Sequence, residues 1–210
     1  MPWPQGSLGN GDQASFRLQT GARVARRGFI GAAGVLLVMT ACAPRRQPSL
    51  VGGPFHLIDQ NGRPVDQRIL RGKWTAVFFG YTFCPDVCPT TLTTLGQAST
   101  LLGSRAENFQ VVFISVDPAR DSPAALKLYL SNPAFPKGAI GLTGTPAQVA
   151  ATAAAYRVYY KKAGVGPDYS VDHTAIVYLM DPKGRFSQPL DAAAEPAQVA
   201  RQIAGAMKQG

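Results

Sequence analysis

The sequence predicts an α/β fold, a sheet with helices over both faces, on two observations. The segments "WTAVFFGYT" at 74–82 and "FQVVFISVD" at 109–117 are continuous apolar runs, as expected of strands covered from both sides. Around them lie segments whose apolar residues recur at helical spacing, so the two periods alternate along the chain. With 210 residues, 46% of them hydrophobic, the chain can bury one ordinary core, and no internal repeat divides it.

The N-terminal part stands apart from that core. Residues 1–22 form a polar, Gly-rich leader without a fold signal. Residues 23–42, "RVARRGFIGAAGVLLVMTAC", read as an export signal: a basic cluster (Arg23, Arg26, Arg27), an apolar run from Phe29 to Met39, then small residues and Cys42. The run is short for a membrane span but suits the apolar centre of a signal. "RRGFI" resembles a twin-arginine motif, with Ala25 in place of the usual polar residue. "VMTAC" resembles a lipobox, with Met39 where Leu is commoner, so Cys42 is the expected lipidation site. Residues 43–53, "APRRQPSLVGG", make a flexible linker. The expected location is the outer face of a bacterial cytoplasmic membrane, with the folded domain at 54–208.

Within that domain, "PFHLIDQNGRPV" has two short extended runs around Asn61-Gly62, a hairpin signal. The first buried strand follows. From Pro89 to Leu102, the residues Leu92, Leu95, Ala98, Leu101 and Leu102 keep helical spacing, with Pro89 suited to a first turn. After the second buried strand, "SPAALKLYL" begins with Ser122 as N-cap and Pro123 in first position. "TPAQVAATAAAY" repeats that start. "AIVYLMD" and "RFSQPL" make a hairpin across "DPKG", and "EPAQVARQIAGAMK" closes as a helix. Strand–helix–strand followed by a hairpin and a last helix is the order of the thioredoxin fold, here with an N-terminal β-hairpin extension and a central helical insertion.

The charge excludes one class of partner. The chain sums to +9, and four arginines and one aspartate precede Cys42, leaving 17 basic and 11 acidic residues beyond. These are scattered, without a basic helix or an aromatic-basic strand, so nucleic acid is not a partner. A mildly basic surface suits an anionic membrane or an acidic partner.

The chemistry sits in "FFGYTFCPDVCPTTL". With Cys42 assigned to lipid, Cys84 and Cys88 are the remaining two of three cysteines. Export places them in an oxidising space, so a metal or a reductant must manage the pair. They fall on the turn after the first buried strand, at a helix N-terminus, where amide N–H groups and the helix dipole lower a thiol pKa. Asp86 between them opposes a second negative charge and favours a bound cation. The spacing alone leaves three roles open: a disulfide, a nucleophile, a metal site. His173, immediately before a buried strand, adds a third donor, because in a thioredoxin-like sheet that loop passes beside the cysteine turn. Thiol oxidoreductases place a cis-proline there, and this loop has no proline between Asp168 and Pro182. Two thiolates and an imidazole are a soft-to-borderline set that suits copper as Cu(I) or Cu(II). Asp172 is a candidate to orient the His173 ring. Asp117, with Arg120 and Asp121 in "SVDPARD", is a candidate for a docking surface or a turn. Tyr81 and Phe83 bracket the turn as candidate shields from water.

Together "YTFCPDVCPTTL", "ISVDPARDSP" and "YSVDHTAIVYLMDPKGRF" resemble the SCO/SenC family, copper-handling proteins that assist assembly of the binuclear copper site of cytochrome c oxidase. The resemblance covers residues 53–207. It implies one copper ion held by Cys84, Cys88 and His173, delivered to the copper-site subunit of the oxidase without catalytic turnover. A thiol reductant, called for by the oxidising compartment, is a second candidate partner. The family is usually anchored by an N-terminal helix; here the signal implies a lipid.

Two rivals use the same cysteines. A peroxiredoxin needs a threonine three residues before its cysteine. Three before Cys88 stands Pro85, and Thr82 is two before Cys84, so neither qualifies. A membrane-tethered thiol–disulfide oxidoreductase, keeping partner cysteines reduced, remains the alternative.

Overall fold

The structure is a computed structural model that describes residues 51–209; the leader, the export signal and Cys42 lie outside the described residues. The chain enters as an antiparallel hairpin, β1 (His56–Asp59) and β2 (Pro64–Asp66), with Leu57 opposite Val65. Its turn is set by Asp59, whose carboxylate accepts the N–H groups of Asn61 and Arg63, and by Gly62 at φ 80°. There follow β3 (Trp74–Gly80), α1 (Val87–Leu101), β4 (Phe109–Ser115), α2 (Pro123–Leu130), β5 (Ile140–Thr143) and α3 (Pro146–Ala155). A second hairpin, β6 (Tyr160–Ala163) and β7 (Ser170–His173), leads to β8 (Val177–Met180), β9 (Phe186–Leu190) and α4 (Pro196–Gln209).

Seven strands form one mixed sheet in the order β2-β1-β5-β4-β3-β8-β9, and β6-β7 is a separate two-stranded ribbon. Strands β3 and β4 run parallel at the centre, in register from Trp74 opposite Phe109 to Gly80 opposite Ser115. Every residue of β3 is buried. Alternation sorts them to two faces: Trp74, Ala76 and Phe78 join the core under α1, α2 and α4, with Leu92, Leu95, Leu126 and Ile203. Val77 and Phe79 join the core under α3, with Ile114, Val149 and Tyr156. This is the thioredoxin-like α/β sandwich the element order predicts.

Helices α2 and α3 start as expected. Ser122 caps α2 by accepting the Ala125 N–H, and Thr145 caps α3 in a reciprocal box with Gln148. Helix α1 starts two residues earlier than predicted, at Val87, so Pro89 takes its third position, where the missing N–H has no intrahelical partner to lose. The insertion expected to be helical also holds a strand. Strand β5 is short and carries Gly141, over which α2 packs so closely that a Cβ would stand 2.8 Å from Leu130 Cδ1. The ribbon β6-β7 shows only Val171 buried, so it has no apolar period to read.

Phe79 is buried against Tyr156, ring centroids 5.3 Å apart, on the face away from α1. Phe79→Ala leaves a cavity and is expected to cost about 3–5 kcal/mol in chemical denaturation. A loss below about 1 kcal/mol contradicts this packing.

Candidate metal centre

Three elements meet at the C-terminal end of β3. The chain leaves β3 at Gly80, turns through residues 81–86 and enters α1. The turn is pinned by the Cys84 N–H, which donates to the Tyr81 carbonyl at 3.2 Å. Cys88 lies in the first turn of α1, fully buried, its sulfur directly over Gly80: a Cβ there would stand 2.7 Å from Cys88 Sγ. The glycine makes room for the sulfur against the strand. Cys84 is half-buried, and the Cys88 N–H donates to its sulfur at 3.4 Å. Neither cysteine forms a disulfide.

His173 ends β7. Its ring packs edge-on against Tyr81 and Phe78, with centroids 5.9 and 6.3 Å away. Nδ1 lies 3.1 Å from the Thr174 carbonyl oxygen, and Nε2 lies 3.6 Å from Cys88 Sγ. A carbonyl only accepts, so Nδ1 carries the proton and Nε2 presents its lone pair to the sulfur. The Cys84, Cys88 and His173 donor atoms all lie within 4.8 Å of one another.

Burial sets the protonation of the pair. It pushes the Cys88 thiol far above the ordinary cysteine range, helped by the neighbouring Cys84 sulfur. It also holds His173 below the ordinary histidine value, against the Thr174 carbonyl and Asp172. The helix N-terminus was expected to lower the thiol pKa; for Cys88, desolvation outweighs it. The site without metal is therefore a neutral thiol donating to a neutral imidazole. A proton stands where a soft cation would bind, and metal uptake displaces it. Two sulfurs and a free imidazole nitrogen in a largely buried site fit a copper ion.

The other candidates divide. Asp86 is exposed beside the N-terminus of α1, and its carboxylate takes the Thr90 hydroxyl. Asp172 is also exposed, opposite Lys161 in the ribbon, and is not the partner of the ring nitrogen; the Thr174 carbonyl is. Asp117 is buried, and its carboxylate accepts from the Tyr169 hydroxyl and from Arg120 Nε, so both oxygens face the fold's own side chains. Tyr81 is buried against the imidazole, whereas Phe83 is 61% exposed at the rim. His56 lies on β1, separated from β3 by two strands. Sequence reasoning missed the role of Gly80, whose only signal was a glycine inside an apolar strand. It also missed Asp121 as an anchor: its buried carboxylate accepts from Thr82 Oγ1 and N and from Ser115 Oγ.

A thioredoxin-like sheet that brings two cysteines and a histidine together at one strand end presents a donor set suited to a soft metal ion. Comparison with known proteins then places it. The sequence profile of the SCO1/SenC family matches residues 43–208, and the chain belongs to that family. It is 45% identical over 148 residues to the mitochondrial protein SCO1 of Saccharomyces cerevisiae, covering 69% of this chain and 49% of the yeast protein. It is 45% identical over 156 residues to protein SenC of Rhodobacter capsulatus, covering 73% and 69%. The chain thus spans about half the length of the yeast relative. Among solved structures, Bradyrhizobium japonicum ScoI with copper bound is similar at 46% identity and TM-score 0.68, over 74% of this chain and 98% of that one. Yeast Sco1 with copper bound is similar at 40% identity and TM-score 0.70, over 76% and 90%.

The depressed His173 pKa has a consequence for the metal-free protein. The unfolded chain takes up a proton on this histidine near its ordinary value of about 6.5, while the folded state resists. The unfolded state therefore binds more protons in the window just below that value, and stability falls as pH drops through it. Replacement by asparagine is expected to flatten unfolding midpoints measured between about pH 7 and about pH 5. Parallel curves for wild type and His173→Asn contradict the buried neutral imidazole.

Proposed function

We propose that the protein is a copper chaperone that holds one copper ion through Cys84, Cys88 and His173 and passes it to the binuclear copper site of cytochrome c oxidase during assembly. The observation that carries the reading is the convergence of these three donors within 4.8 Å at one end of the central strand. Family membership supports it, as do two relatives at 46% and 40% identity whose structures hold copper. Copper is cargo here, bound in place of the Cys88 proton, and its transfer is an exchange of ligands between two sites. The half-buried Cys84 is the sulfur more open to an incoming partner ligand. We further propose that Cys42 is lipidated and tethers the domain to the outer face of a bacterial cytoplasmic membrane. Support comes from the signal-like segment at 23–42; among the described residues, no helix is long and apolar enough to cross a membrane. Loss of fatty-acid labelling in Cys42→Ser is the expected result, and unchanged labelling contradicts it.

The copper reading predicts tight one-to-one binding to the reduced protein, with a thiolate-to-Cu(II) absorption band. His173→Ala is expected to lose that band and to weaken Cu(II) binding by about 10- to 100-fold, and Cys84→Ser or Cys88→Ser to weaken both oxidation states. Copper held no better than by an unrelated dithiol, with no effect of His173→Ala, contradicts the proposal. The cysteine pair would then be pursued as a redox couple that exchanges with partner disulfides.

A further inference from the structure

The ribbon that carries His173 rests on the core through few side chains: Val171 is buried there, and Tyr160 and Tyr169 pack against the same cluster. Strands β6 and β7 pair only with each other among the described residues, outside the main sheet, and a lone two-stranded hairpin is marginal in water. Of its residues only Val171 is buried. Yet Nε2 of His173 is held 3.6 Å from a sulfur on a different element. Something outside the ribbon must fix that distance.

Arg120, on the loop between β4 and α2, touches both sides of the gap. Toward the ribbon, its guanidinium lies 3.6 Å from the centroid of the Tyr169 ring, and Nη1 donates to the Pro167 carbonyl at 3.3 Å. Toward the cysteine turn, it lies 4.6 Å from the Phe83 ring and 5.7 Å from the Tyr81 ring. Phe83 adjoins Cys84 in sequence, and Tyr81 packs edge-on against the His173 imidazole. Asp117 completes the joint: one carboxylate oxygen accepts from Arg120 Nε, the other from the Tyr169 hydroxyl at 2.6 Å. Lys162 also lies over Tyr169, but from within the ribbon itself, so it joins nothing across the gap. The Arg120 side chain is only 15% exposed, and its Nη2 is buried without a hydrogen-bond partner. The group is placed by its flat faces and its position rather than by full satisfaction of its donors.

We propose that Arg120 is a positioning residue for the metal centre: it clamps the His173-bearing ribbon against the cysteine turn through stacked aromatic rings, with Asp117 holding Tyr169 in place. The proposal rests on the metal-site reading above. It calls for arginine, because a planar guanidinium can lie against several rings while Nε reaches Asp117 and Nη1 reaches the Pro167 carbonyl, whereas an ammonium is a single point charge without that spread of donors.

The test uses Arg120→Ala, Arg120→Lys and Tyr169→Phe in the full chain, with two readouts. Hydrogen exchange on the metal-free protein is expected to show faster exchange across residues 160–173 in both Arg120 variants, while β3 and β4 stay protected. Cu(II) binding, followed by competition and by the thiolate-to-copper band, is expected to weaken by about 10- to 100-fold, with Cu(I), held by two thiolates, changing less. The direction separates position from charge. Removing a nearby cation on electrostatic grounds alone would tighten binding of a copper ion. Tyr169→Phe, which keeps the ring and loses only its hydroxyl bond, is expected to fall between wild type and Arg120→Ala. Unchanged exchange in the ribbon, or Cu(II) affinity that is equal or tighter in Arg120→Ala, overturns the proposal. So does full rescue by Arg120→Lys. A wild-type protein that binds no copper contradicts the chaperone reading instead, and the exchange measurement then decides the clamp by itself.

Discussion

A fully buried carboxylate, Asp121, joins the ends of the two central strands, and the site depends on it. Asp121 takes the Ser115 hydroxyl at the end of β4 and both the hydroxyl and the N–H of Thr82 in the turn after β3. Burial pushes its pKa up while these donors pull it down, and burial prevails. Such a group is tolerable only with its acceptors filled, and loss of one donor costs about 1–3 kcal/mol. The three contacts therefore fix one geometry for the turn that delivers Cys84 and Cys88. The Cys84-to-Tyr81 backbone bond closes the turn on itself, and the Asp121 contacts tie it to the end of β4.

On that frame the centre is assembled from parts that are individually ordinary. Gly80 leaves room for a sulfur against a central strand. Phe78 and Tyr81 hold an imidazole edge-on, and a backbone carbonyl selects its tautomer. The thiol and imidazole are both neutral because both are buried, and they satisfy each other until a soft cation displaces the proton. The scaffold is that of thiol redox proteins, yet the segment leading into β8 carries His173 and has no proline between Asp168 and Pro182. The same cysteine turn thereby gains a third donor.

Much of this was legible in the sequence, and the limits have physical reasons. Strands β3 and β4 were readable because burial on both faces leaves an unbroken apolar run, and helices α2 and α3 because Ser-Pro and Thr-Pro starts are strong signals. Cys84, Cys88 and His173 stood out because these residue types are scarce in the chain: three cysteines and two histidines. Strand β5 was hidden by its length and by Gly141, whose reason is the approach of α2 from another part of the chain. The ribbon β6-β7 was hidden because its strands are polar and only Val171 among their residues is buried, which leaves no apolar period to read. For Cys88, burial reverses the lowering that the helix N-terminus alone would give. A helix N-terminus is visible in sequence, but the depth of Cys88 beneath it is a tertiary fact. For Asp172, adjacency to His173 suggested a contact, whereas strand alternation turns neighbouring side chains to opposite faces.

The central claim is that the two cysteines and the histidine act together on one copper ion. X-ray absorption at the copper edge of the Cu(II)-loaded full-length protein tests this most directly, because it identifies the neighbouring atoms without relying on a variant. The account predicts two sulfur neighbours and one imidazole nitrogen, the latter shown by ring multiple scattering. A spectrum with sulfur but no imidazole, or with oxygen and nitrogen neighbours alone, would contradict it.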